Sequence, residues 1–166
     1  MRYDLLCKSK DLPRRPVVIA VGEGGFQSRE KRDIVRRDLE GYFVFMPFIS
    51  DISSVLKGMD VVAMPSVWEA CGLLAMEAMV AGVPLISTSC AGLREVVKKT
   101  PSRVVLPADS DALANALIDE MVNSNIKNSV EYAGYAAKRF DVQKEAEKLE
   151  KLYGLLDSKK PSSFFH

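Results

Sequence analysis

Short apolar runs alternate with amphipathic stretches along most of the chain. Residues 17–21 (VVIAV), 42–46 (YFVFM), 60–64 (DVVAM), 84–87 (PLIS) and 103–106 (RVVL) are brief and largely apolar, and Gly, Pro, Ser or Asp bounds each of them. Runs of this length and composition predict strands buried on both faces. Between them, helical periodicity covers 28–39, 51–58, 72–82, 92–98 and 109–123. Asp109-Ser-Asp-Ala supplies a capping residue and an acid in the first turn, which suits a positive helix end. From about residue 126 the pattern is helical only, with Val142, Ala146, Leu149 and Tyr153 recurring on one face.

Strands alternating with helices predict an α/β fold, a Rossmann-like parallel sheet with helices on both faces. The expected folded domain spans residues 1–156, followed by a frayed tail over 157–166 that holds Pro161 and lacks periodicity. One element is missing from the expected order. The chain opens with a helix-like segment, Tyr3-Asp-Leu-Leu-Cys7, where a doubly wound sheet begins with a strand that becomes central. The sheet should then leave a gap with unpaired backbone groups, which is costly; either a preceding segment or a partner chain fills it, or strands 17–21 and 60–64 close up.

Charge narrows the partners. A net charge of +1 gives no bulk field for nucleic acid or an anionic membrane. The basic cluster between Arg29 and Arg37 is interleaved with acids and reads as a solvated helix face. Three cysteines, Cys7, Cys71 and Cys90, show no metal or redox spacing, and no apolar run reaches the ~18 residues of a membrane span. These features fit a soluble protein of a reducing cytoplasm, with no metal site expected.

Chemistry concentrates in Met64-Pro-Ser-Val-Trp-Glu-Ala-Cys-Gly-Leu-Leu-Ala-Met-Glu-Ala-Met-Val-Ala-Gly-Val-Pro84. A strand ends, a tight turn carries Pro65 and Ser66, and a helix starts near Gly72. The helix tip offers unpaired N–H groups and a positive dipole end, a ready cradle for a diphosphate. Gly72 lets a phosphate approach the backbone. Glu69 and Glu77 frame the turn, and a carboxylate can accept two hydrogen bonds from a vicinal diol. Glu77 lies about five residues into the helix, roughly 7–8 Å along its axis, about the span from a β-phosphate to a ribose. By spacing alone, two glutamates eight residues apart also arise by chance, and Glu69 could serve only to start the helix.

The surrounding residues resemble the group 1 (family 4) glycosyltransferases of GT-B architecture. The family's pattern stands here as Pro65-Ser66, Glu69, Gly72, Glu77-Ala78, Gly82 and Pro84. The resemblance extends to the strand ending in Gly22-Glu-Gly24, to residues 43–51, to Gly92-Leu-Arg-Glu-Val-Val97, and to the closing strand and helices. It implies the carboxy-terminal, donor-binding half of such an enzyme. Glu69 would meet the donor hexose as the catalytic-site carboxylate, and Glu77 would hold the ribose. Backbone at Cys71, Gly72, Leu73 and Leu74 would face the diphosphate, with Gly22 and Gly24 also in the donor site and Phe48 and Ile49 over the base.

The implied reaction is metal-independent hexosyl transfer with retention from a UDP- or GDP-linked sugar. The acceptor, a glycan or lipid-linked molecule, would be held by an amino-terminal domain outside this chain. Peripheral membrane association of such an enzyme stays open. Two departures stand out: Cys71 occupies a position where the family has Phe, and the family's Arg and Lys ligands of the diphosphate would fall before Met1. The chain alone is therefore expected to bind donors weakly and catalyse nothing. A non-catalytic nucleotide-sugar-binding subunit and one half of a sugar-nucleotide epimerase remain as alternatives.

Overall fold

The computed structural model describes residues 12–157. The helix-like segment expected at residues 3–7 and the tail beyond Asp157 lie outside the described residues. Five strands appear: β1 (Val18–Val21), β2 (Phe43–Met46), β3 (Val62–Met64), β4 (Leu85–Thr88) and β5 (Arg103–Val105). Six α-helices accompany them: α1 (Gln27–Arg36), α2 (Ile52–Lys57), α3 (Leu73–Val80), α4 (Ser110–Val122), α5 (Ile126–Arg139) and α6 (Val142–Asp157). Every strand pairing is parallel. All five expected strands and four of the five expected helices form, with ends shifted by at most three residues.

The strands form two sheets, β1-β2 and β3-β4-β5. Of the outcomes weighed for a missing strand, closure of β1 onto β3 is therefore not what happens among the described residues. An exposed ion pair between Arg14 and Asp60 (2.7 Å) links the segments leading into β1 and β3. The smaller sheet has its own core, in which Ile34 and Leu39 pack with Tyr42, Phe43 and Phe45.

The larger sheet holds the main core. All four residues of β4 are buried, with Ile86 and Ser87 fully so, and both α3 and α4 touch the strand. This burial on two faces explains why residues 84–87 read as a continuous rather than an alternating run. Beneath α3, Ala75, Ala78 and Met79 meet Leu56, Val62, Met64, Leu85 and Leu93. Helix α5 closes that layer: Ala136 joins the core, and Gly82 lets the chain leaving α3 pass close to Val130.

Residues 92–98 do not form the expected helix; the stretch from Ala91 to Pro101 is a series of turns. Only isolated helical bonds survive there, from the Arg94 N–H to the Cys90 carbonyl and from the Val97 N–H to the Leu93 carbonyl. Gly92, at φ 84, opens this stretch outside the helical region. The Arg139 guanidinium of α5 donates to the carbonyls of Glu95 (2.9 Å) and Lys98 (3.3 Å), acceptors that a helix over 92–98 would itself leave unpaired. Lys99 is left in the left-handed region at φ 57.

A polar clasp holds β5 to α4. Glu120 is only 3% exposed, and it accepts from Arg103 Nε (2.7 Å), Ser124 Oγ (3.1 Å) and the Asn125 N–H (2.6 Å). Arg103 also pairs with Asp119 and donates to the Asn123 carbonyl. Removing one member of a buried pair strands the other charge. Arg103→Met is expected to lower stability by about 3 kcal/mol, read as a lower urea midpoint at unchanged slope. A midpoint that stays in place would show the clasp to be neutral.

Asp51 caps α2 by accepting from the Ser54 N–H (3.1 Å) and the Ser54 hydroxyl (2.5 Å). The Ser54 hydroxyl, then its N–H, hold the Asp51 carboxyl below its ordinary value. A lowered folded value stabilises above the unfolded carboxylate pKa of about 3.9 and is lost as pH falls through the folded value. Asp51→Ala should thus be less stable than the parent at pH 7, with the two converging on acidification below about pH 4. A difference independent of pH would refute the capping role.

Candidate functional site

Strand β3 ends at Met64, and the chain crosses to α3 through Pro65–Cys71. Gly72 caps the helix in the left-handed conformation (φ 67, ψ 40), and no side chain caps it. The left-handed conformation favours glycine, and a Cβ there would sit 2.6 Å from Leu93 Cδ2, whose side chain would have to shift. Among the described residues no hydrogen bond uses the N–H groups of Cys71, Gly72, Leu73 or Leu74. They are the orphan donors that every helix start leaves, and they lie at its positive end.

These donors border a cavity of about 470 Å³ lined by Ala63, Met64, Pro65, Ser66 and the run from Glu69 to Leu74. Glu69 is half-buried at its rim, with Oε1 accepting from the Ala70 N–H (3.1 Å). Cys71 is exposed and free, whereas Cys90 is buried. Five of the residues singled out in the sequence, Glu69, Cys71, Gly72, Leu73 and Leu74, thus share one concavity. Glu77 is exposed about one turn further along α3, outside the cavity lining.

The other four expected residues occupy the carboxyl ends of β1 and β2, not this cavity. The Gly22 N–H donates to the Met46 carbonyl (3.0 Å), tying the two strand ends together. Gln27 fixes the loop that follows: its side chain donates to the Gly22 carbonyl (3.1 Å) and its N–H to the Gly24 carbonyl (3.1 Å). Phe48 is 79% exposed and Ile49 half-buried, on the loop that Asp51 anchors.

Sequence reasoning missed Thr88. This last residue of β4 is buried, and its hydroxyl donates to the Ser66 carbonyl (2.5 Å) beneath the cavity. The available signal was a Ser-Thr pair closing an otherwise apolar strand. A second depression, about 440 Å³, is bordered by Arg29, Arg32, Asp33 and Arg36 of α1, where Arg36 pairs with Asp33. Among the described residues no cluster of His, Cys, Asp and Glu has the makings of a metal site, and no helix is long and apolar enough to cross a membrane.

Several known proteins are similar to this chain. The 2-deoxystreptamine N-acetyl-D-glucosaminyltransferase of Streptomyces fradiae is 35% identical over 111 residues, which is 65% of this chain and 26% of that protein. The UDP-Gal:alpha-D-GlcNAc-diphosphoundecaprenol alpha-1,3-galactosyltransferase of Escherichia coli is 27% identical over 143 residues, covering 82% of this chain and 36% of its own length. The crystal structure of Anabaena Alr3699/HepE in complex with UDP and glucose superposes with a TM-score of 0.75 at 27% identity, over 89% of this chain and 43% of that one. The chain therefore spans between a quarter and a half of these relatives. Residues 3–152 match the family described as Glycosyl transferases group 1, and the chain belongs to that family.

Proposed function

We propose that this chain is the nucleotide-sugar-binding half of a retaining, metal-independent hexosyltransferase. The observation that carries the reading is the uncapped start of α3, whose unspent N–H groups border the 470 Å³ cavity with Glu69 at its rim. Backbone at Cys71–Leu74 receives the diphosphate, and fixed dipoles rather than a cation stabilise the charge that grows on it as the sugar departs. Glu69 accepts from hydroxyls of the hexose. Glu77, one turn along the helix, accepts from both hydroxyls of the ribose. Gly22 and Gly24 approach the donor from the end of β1, and Phe48 and Ile49 cover the base.

A uridine donor is favoured over guanosine because Alr3699/HepE, alike in fold and at 27% identity, was crystallised with UDP and with UDP-glucose. The acceptor, a glycan or lipid-linked molecule, is bound by a further domain, in keeping with the fraction of each relative that this chain spans. Without that domain the 166-residue chain binds donor weakly and transfers nothing.

Titration of the ¹⁵N-labelled chain with UDP tests the reading. Shifts are expected at Gly22, Gly24, Ile49, Cys71–Leu74 and Glu77, with a Kd weaker than micromolar. Glu77→Ala removes charge-assisted bonds of about 1.5–3 kcal/mol and should weaken UDP about 10- to 100-fold. Unchanged affinity, or shifts elsewhere on the surface, would overturn the assignment.

A further inference from the structure

Two contacts from residues outside the cavity lining fix where the Ser66–Gly72 loop lies. The first is the bond from the Thr88 hydroxyl to the Ser66 carbonyl, 2.5 Å long, made by a side chain that is 3% exposed. The second is at Gly92, which has φ 84 and whose missing Cβ would fall 2.0 Å from the Glu69 carbonyl oxygen and 2.7 Å from its carbon. Those neighbours are backbone, so no rotamer change could make room. Leu93, fully buried, then packs beneath Gly72, and the Cys90 carbonyl holds this turn by accepting from the Leu93 and Arg94 N–H groups.

We infer that Thr88 and Gly92 are positioning residues for the donor site: a hydroxyl tether and a flat backbone seat that together hold Glu69 and the tip of α3 at a fixed height above β4. The inference deepens the proposed function and rests on it for its consequence, donor affinity; the tether and seat themselves are properties of the chain without ligand. Among the described residues β4 is the most completely buried strand, so it provides a stationary base. A loop tethered to it at Ser66 and seated at Glu69 presents its carboxylate and N–H groups with little freedom to lose on binding. Neither residue touches the cavity, since its lining runs from Ala63 to Leu74.

Backbone ¹⁵N order parameters and UDP titration on Thr88→Val, Thr88→Ser and Gly92→Ala separate the possibilities. Thr88→Val keeps the shape but orphans the Ser66 carbonyl. Order parameters at residues 66–74 should fall from about 0.85, the rigid-backbone value, to below about 0.6, with β4 and β5 unchanged. UDP affinity should fall about 5- to 10-fold, the effect of one hydrogen bond, and Thr88→Ser should restore both. Gly92→Ala should disturb the same residues more strongly; if it fails to fold, the Thr88 pair carries the test. Loop order parameters that stay at the parent level in Thr88→Val, or fall equally throughout the core, would overturn the inference. Were the parent chain to show no UDP response while the loop order parameters fell as expected, the tether and seat would stand and the proposed function would fall.

Discussion

The whole site depends on one backbone constraint: a helix that starts with its first N–H groups unspent and no side chain to cap them. Helix starts normally recruit Ser, Thr, Asp or Asn for that purpose, and α2 and α4 of this chain do so through Asp51 and Asp109. Helix α3 instead begins at a left-handed glycine, and the residues that carry the unspent donors line a cavity. An uncapped start forgoes about 1 kcal/mol of helix stability. The packing of Ala75, Ala78 and Met79 into the main core holds the helix in place all the same.

That packing explains the arrangement of the rest. Strand β4 is enclosed by α3 and α4, the Arg103–Glu120 clasp fixes β5 to α4, and Arg139 ties the turns after β4 to α5. The result is a rigid scaffold under a loop whose own residues are largely exposed. The smaller β1-β2 sheet, by contrast, has a core of few residues and contacts the larger one through features such as the exposed Arg14–Asp60 pair. The residues expected over the base, Phe48 and Ile49, belong to this less firmly held part.

Much of this was legible in the sequence, for identifiable reasons. Strand β4 is a short apolar run because both its faces are covered, whereas β3 and β5 each expose their middle residue, and Asp109 signals its helix by capping it. Glu69 and Gly72 were legible as one turn, and they line one cavity, but the spacing of Glu69 and Glu77 does not by itself set them apart from chance. The false helix at 92–98 shows the limit of periodicity: Leu93, Val96 and Val97 are buried at helical spacing, yet the stretch forms turns, and Arg139, 41 residues or more away, satisfies the carbonyls of Glu95 and Lys98. Thr88 escaped notice for a similar reason, since its partner Ser66 is 22 residues distant. The division into two sheets depends on which strand edges meet, and no local pattern encodes that.

The central claim is that the start of α3 grips a diphosphate by its backbone. Comparing UDP, UMP and uridine by calorimetry on the chain probes this directly, because the three ligands differ only in phosphates. The account predicts that UDP binds at least about tenfold more tightly than UMP, a step of ~1.4 kcal/mol, and that the gain persists when divalent cations are chelated. Equal affinities for the three, or a gain that vanishes with chelator, would contradict it.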